Sequence, residues 1–241
     1  MKCKKMFVWT KESIRWYLRA GERTGYYREL AGQLRTYIGP EDHVADLGCG
    51  LGQIDLEIAS RAGRVTSVDT EEKVTEILKR EADRKKLSNL TVRCMDWREL
   101  EEEFCDVLLL CSFGRIQEDL EDFLRLCRKR ILFLRRSQRE MERGFAVPYH
   151  LENPVEKEEA FARETGLKTC VRRFQAEFGQ PFSDMEEAVR FIRHYQVKTG
   201  GLSPEEYLRR HLEYKKDGKF PLYLTNEKEM YLLIIEKNFE K

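Results

Sequence analysis

Apolar positions along the chain recur with two different periods. Over residues 11–38 they fall at helical spacing: Ile14 and Leu18 share a face, Gly21 allows a break, and Leu30, Leu34 and Ile38 continue. This predicts two amphipathic helices that end at Gly39-Pro40. Short apolar runs follow at 43–47, 64–69, 90–95, 105–111 and 130–134. Several are continuous rather than alternating, as expected for strands buried on both faces of a parallel sheet. Between them Val74, Ile77, Leu78 and Ala82 form a helical face, with Thr70 placed as N-cap and Glu71 and Glu72 in the first turn. Alternating strand and helix signals predict right-handed βαβ units and a doubly wound α/β sheet.

Beyond residue 150 the punctuation changes. Asn153-Pro154 predicts the cap of a helix ending near Gly166, and a strand is predicted at 168–177. Ser183 with Glu186, and Ser203-Pro204 with Glu206, read as capping boxes at two helix starts. A final strand is predicted at 230–235. The roughly fifty residues separating the two late strands exceed an ordinary connection, and predict a helical lid or substrate-binding insertion. With no repeat, low-complexity tract or linker, one domain is expected over 1–241. It comprises N-terminal helices in 1–40, a core from 41–178 and 222–241, and a helical lid at 179–221.

Composition narrows the function classes. Hydrophobic residues make up 41%, enough for a sizeable core. The 44 Lys and Arg nearly cancel the 43 Asp and Glu, so a net charge of +1 gives no bulk attraction to nucleic acid or an anionic membrane. No stretch approaches the roughly 18 apolar residues that span a bilayer, and the opening residues lack the pattern of a signal peptide. Seven cysteines without C-x-x-C pairing suggest reduced thiols and a cytoplasmic setting.

The densest chemical signal is Val44-Ala45-Asp46-Leu47-Gly48-Cys49-Gly50-Leu51-Gly52, an apolar strand running into three alternating glycines before a helical pattern. Glycines here admit unusual backbone angles and close approach of a ligand to the main chain. Asp69 ends the next strand about twenty residues on, a spacing that suits a carboxylate accepting from a ribose diol. A dinucleotide fingerprint would need a third glycine where Gln53 stands, and Asp46 suits a cationic ligand better than a pyrophosphate. Cys49 reads as a small filler of the turn rather than a nucleophile.

These residues resemble the first motif of class I S-adenosylmethionine-dependent methyltransferases, from Asp46 to Gly52. The resemblance extends through Asp69 and Cys94-Met95-Asp96-Trp97 to Cys111-Ser112-Phe113-Gly114, covering about residues 40–136. It implies a Rossmann-like sheet of seven strands, mostly parallel with a late antiparallel strand. S-adenosyl-L-methionine is implied as methyl donor, with S-adenosyl-L-homocysteine as product. The implied donor site comprises Asp46, Gly48, Cys49, Gly50, Gly52, Asp69, Thr70, Asp96, Trp97 and Ser112. Trp97 fits both an adenine contact and loop packing.

The acceptor half is read from absences and a few side chains. The resemblance places a base-methylating motif where Cys111-Ser112-Phe113-Gly114 stands, and puts metal-binding carboxylates where Ser112 stands, so neither a base-amine acceptor nor a metal is expected. His150, after the fifth strand, and His194, on the first lid helix, are candidate acid/base residues, and His211 is a further histidine to weigh. Trp16, Tyr17, Tyr26 and Tyr27 fit either closure over the donor or packing, and Tyr17 is a candidate substrate contact. A basic run holds Arg125, Arg128, Lys129, Arg130, Arg135, Arg136, Arg139 and Arg143. Its first four residues read as a solvated helix end. Arg135 and Arg136 are candidate contacts for an anionic acceptor or an RNA phosphate. The leading expectation is methyl transfer to a small molecule. The alternatives are methylation of RNA or protein, a non-catalytic S-adenosylmethionine-binding module, and, contradicted by Gln53, a nicotinamide oxidoreductase.

Overall fold

The computed structural model describes residues 8–137, 155–215 and 218–237. In chain order the elements are α1 (Lys11–Thr24), α2 (Tyr26–Leu34), β1 (His43–Leu47), α3 (Gln53–Ile58), β2 (Arg64–Asp69), α4 (Glu72–Arg84), β3 (Leu90–Cys94) and a 3-10 turn (Trp97–Glu99). There follow β4 (Cys105–Cys111), α5 (Ile116–Leu126), β5 (Cys127–Arg136), α6 (Val155–Glu164) and β6 (Lys168–Glu177). The last are β7 (Gln180–Phe182), α7 (Met185–His194), α8 (Pro204–His211), β8 (Leu212–Tyr214), β9 (Leu222–Leu224) and β10 (Glu227–Glu236). The described residues divide into two compact units, a larger one of 27–137, 155–176 and 228–237 and a smaller one of 8–26, 177–215 and 218–227.

The larger unit is built on a seven-stranded sheet in the order β3-β2-β1-β4-β5-β10-β6. β1 runs parallel to both β2 and β4, β3 and β5 continue the parallel set, and β10 lies antiparallel to β5. The continuous apolar character of β1 and β4 follows from their central place, where Val44, Leu47, Val107 and Leu109 are fully buried. Strand order reverses between β1 and β4, so a crevice opens at their C-terminal ends, beyond Leu47 and Cys111. Val74, Leu78 and Ala82 bury the expected face of α4.

Three boundaries move for local reasons. The break between the first helices falls at Gly25, in the left-handed conformation (φ +67°) with its N–H bonded to the Gly21 carbonyl, whereas Gly21 is buried inside α1. The N-cap of α4 is Glu71 rather than Thr70, because Asp69 Oδ1 accepts the Glu71 N–H at 2.9 Å. Arg128, Lys129 and Arg130 are not a solvated helix end but the start of β5. They meet carboxylates of neighbouring segments: Arg128 pairs with Asp106 at 3.2 Å, Lys129 with Asp42, and Arg130 with Glu236 at 3.2 Å. The predicted cap Asn153-Pro154 lies outside the described residues; α6 begins at Val155 and Gly166 (φ +79°) follows its end.

The smaller unit is not purely helical. Besides α1, α7 and α8 it holds a three-stranded antiparallel sheet, β7-β9-β8, whose three-residue strands are too short to show a period in sequence. Trp16, Phe182, Phe191, Ile192, Leu208 and Leu224 fill its core. The Ser203 box forms as predicted, with Ser203 and Glu206 bonding each other's backbone N–H. The Ser183 box is displaced by one residue: Asp184 caps α7, and Glu187 rather than Glu186 reaches back to the Ser183 N–H at 2.8 Å.

That displacement makes Glu187 a hub. Its carboxylate accepts from Trp16 Nε1 at 3.2 Å, Arg19 Nη1 at 2.9 Å and the Ser183 hydroxyl at 2.9 Å. Burial works against the charge, but the Ser183 bonds and the Arg19 guanidinium hold the carboxyl below the usual range. Replacing Glu187 by alanine strands the buried Trp16 N–H and the half-buried Arg19 guanidinium, so Glu187→Ala should lower stability by about 2 kcal/mol. Glu186→Ala, at an exposed ion pair with Arg190, should change it by less than about 0.5 kcal/mol. Urea denaturation of both variants checks the contrast, and equal losses would show that Glu187 is not the hub.

Candidate active site

At the crevice, the chain leaves β1 through Gly48, Gly50 and Gly52, whose φ angles of +68°, +54° and +58° are all left-handed. Two of them also face close neighbours: a Cβ on Gly48 would overlap the Phe113 ring, and one on Gly52 would overlap Leu78. Glycine is therefore required both by conformation and by space. The turn is tied to β2, since the Gly48 and Cys49 N–H groups donate to the Val68 carbonyl at 2.8 and 3.1 Å. Asp69 secures the centre, accepting from Gly50 N–H through Oδ2 at 2.8 Å while Oδ1 takes Glu71 N–H. Each of its oxygens keeps a second lone pair for a ligand hydroxyl.

Beneath the turn lies a pair that sequence reasoning half missed. Asp46, 1% exposed, and Asp55 of α3, fully buried, lie close enough for their titrations to be coupled, and Ser67 donates to Asp55 Oδ2 at 2.6 Å. Both Asp46 oxygens and Asp55 Oδ1 are buried without a hydrogen-bond partner among the described residues. Burial and the neighbouring Asp55 and Asp69 charges push the Asp46 carboxyl well up. Burial pushes Asp55 to about 6, against the pull of Ser67 and Asp46. The two therefore share a proton. The signal in sequence was a carboxylate on the buried side of the helix that follows the glycines. Cys49 is pushed well up by burial and by these acids, which leaves an un-ionised thiol and no nucleophile.

The other expected donor-site residues divide. Asp96 caps the 3-10 turn, its Oδ1 accepting from Arg98 N–H at 3.0 Å, and remains partly exposed. Trp97 is 5% exposed, packed in the core with its ring 5.1 Å from Phe123. Thr70 is exposed beside Asp69, and Ser112 is exposed just past β4 with φ +58°, an unusual angle for a residue with a side chain.

The acceptor candidates fare differently. Arg135 is 4% exposed and donates through Nη2 to the Phe113 carbonyl at 3.0 Å and to the Gly114 carbonyl, so it is engaged with protein rather than open to a ligand. Arg136, the last residue of β5, is half-buried. His150, Arg139 and Arg143 lie outside the described residues. Tyr17 and His194 belong to the smaller unit. Tyr17 stacks edge-on to Trp9 and Phe178, and His194 is exposed in the last turn of α7 with its ring 5.5 Å from Trp16. Trp16 and Tyr26 are buried there, and Tyr27 is buried in the larger unit. His211 stacks on Tyr207 and bonds its carbonyl. Among the described residues no group of three His, Cys, Asp or Glu is arranged to hold a metal, and no helix is long and apolar enough to cross a membrane.

Residues 44–131 match the family model described as a methyltransferase domain. A curated relative named "Probable cobalt-precorrin-6B C(15)-methyltransferase (decarboxylating)", from Methanobrevibacter smithii, is 29% identical over 92 residues, 38% of this chain and 49% of its own length. The chain thus spans about half the length of the curated relative it matches. Among solved structures, the YcgJ protein from Bacillus subtilis superposes with a TM-score of 0.58 at 12% identity, over 89% of this chain and 99% of that one. The precorrin-6y C5,15-methyltransferase from Geobacter metallireducens superposes at 0.53 and 10% identity, over 87% of each chain. These structural likenesses are likenesses of fold.

The carboxyl pair has a testable signature. A folded-state pKa raised from the usual 3.8 to about 6 means that the native protein holds a proton the unfolded chain releases. Asp55 thus contributes stability that is full below about pH 4 and lost as pH rises through 6. In Asp55→Asn the amide donates to Asp46 without a proton to lose. Its melting temperature should change less between pH 4 and 7, and at pH 8 it should exceed wild type by about 1 kcal/mol of stability. Parallel pH profiles for the two proteins would contradict the shared proton.

Proposed function

We propose that this chain, whose residues 44–131 match a methyltransferase domain, transfers the methyl group of S-adenosylmethionine to a small-molecule acceptor. The observation that carries the reading is the glycine turn of three left-handed residues, pinned by Asp69 and floored by the buried Asp46–Asp55 pair. S-adenosylmethionine, when bound, supplies an electrophilic methyl on a sulfonium. The residues fit that cationic ligand: Asp69 would accept from the ribose hydroxyls, the glycines let the methionine portion approach the backbone, and the acids beneath favour positive charge. Asp96, just past β3, would take the adenine side, and Thr70 and Ser112 would complete the donor site.

A small acceptor agrees with the precorrin activities named for two of the similar proteins. The RNA reading loses one of its two candidate contacts, because Arg135 is buried against Glu158. Arg136, His150, His194 and Tyr17 stay as candidates for the acceptor side, and no protein group is yet assigned as a base. A cytoplasmic setting fits the reduced cysteines.

Titration calorimetry should show S-adenosylmethionine binding and no NAD binding. Asp69→Ala should weaken S-adenosylmethionine by about 10- to 100-fold through loss of hydrogen bonds to a charged acceptor. Incubation with tetrapyrrole acids and labelled donor should then yield S-adenosylhomocysteine. Unchanged affinity in Asp69→Ala would remove the ribose assignment, and binding without turnover on any small-molecule fraction would favour the non-catalytic module.

A further inference from the structure

Arg135 is a buried cation where the sequence predicts a solvent-facing one. Its side chain is 5% exposed and that of its partner Glu158, on α6, is 2% exposed, with Nε 3.8 Å from Oε2. Burying either charge alone is strongly unfavourable, so each accounts for the other. Arg135 then grips one short segment of backbone. Arg135 Nη2 donates to the carbonyls of Phe113 and Gly114. Glu158 lies where the Ile116 N–H, at the start of α5, and the Arg115 charge both favour its carboxylate.

The gripped segment is not one that would hold its shape unaided. Ser112 sits at φ +58° and Gly114 at φ +70°, and a Cβ on Gly114 would overlap Phe123. A left-handed residue with a side chain persists only where its surroundings over-determine it. Between these two lies Phe113, whose ring rests on Gly48 so closely that a Cβ there would overlap it. The chain of contacts thus runs from Glu158 through Arg135 and the Phe113 and Gly114 carbonyls to the first glycine of the turn.

We propose that Arg135, held by Glu158, is a positioning residue for the methyl donor: by fixing the 112–114 turn it keeps the Phe113 ring seated on Gly48 and closes the glycine turn on its β4 side. The inference rests on reading that turn as the donor site. Glu158 is raised to about 7 by burial, against the pull of Arg135, the Ile116 N–H and Arg115. Glu158→Gln therefore tests the pair's geometry with little change of shape.

The test is a double-mutant cycle read by calorimetry with S-adenosylmethionine and S-adenosylhomocysteine. Arg135→Met and Phe113→Ala should each weaken both ligands about tenfold, and the double variant should be no weaker than either single one, because all three lose the same seated ring. A role confined to general stability would move the unfolding transition without this coupling. Glu158→Gln should weaken binding about threefold in the same direction and, paired with Phe113→Ala, gives the same cycle if Arg135→Met fails to fold. Wild-type affinity in folded Arg135→Met, or losses that multiply in the double variants, would overturn the proposal. Failure of the wild-type protein to bind either ligand would overturn the donor-site reading beneath it.

Discussion

The larger unit depends on one close approach: at the end of β1 the backbone passes directly under side chains from two neighbouring elements. Phe113 occupies the space a Cβ would take on Gly48, and Leu78 does the same at Gly52. Those contacts are possible because the strand order reverses between β1 and β4, which brings the segment after β4 beside the turn after β1. They also need α4 to present Leu78, which its helical spacing places on the buried face with Val74 and Ala82. Sheet order, helix periodicity and glycine position are thus three expressions of one packing requirement.

Charge is distributed to match. Asp46, Asp55 and Asp69 gather at the C-terminal side of β1 and β2, where a cationic ligand would offset them. At the other end of β1, His43 is buried between the Phe104 carbonyl and the Thr66 hydroxyl, 2.8 Å from each. Burial and Arg64 lower it to about 4, so it is neutral at physiological pH and serves the sheet rather than chemistry. At both ends of one five-residue strand, burial thus favours the neutral form of an ionisable group.

What the sequence made legible was what depends on nearby residues. The glycine spacing, the acid at the end of β2 and the strand at 168–177 all follow from local pattern, and the structure contains them at those positions. What escaped was what depends on distant partners. The sequence makes Arg135 a candidate contact for an anionic acceptor, and nothing local says that Glu158 lies against it. Asp55 has no local signal of its own, since Asp46 and Ser67 come beside it only in the fold. Trp97, open between two readings, went to the core because Phe123 of α5 packs against it.

The smaller unit is assembled from segments far apart in sequence: Trp16 and Arg19 meet Glu187 across separations of 171 and 168 residues. At a synthesis rate of about 5–20 residues per second, α1 leaves the ribosome roughly 10–30 s before its acceptor carboxylate exists. During that interval Trp16, which ends 1% exposed, has no core to enter. The order of synthesis thus gives the first helix a waiting period, in which its apolar face is open to chaperones and to neighbouring nascent chains.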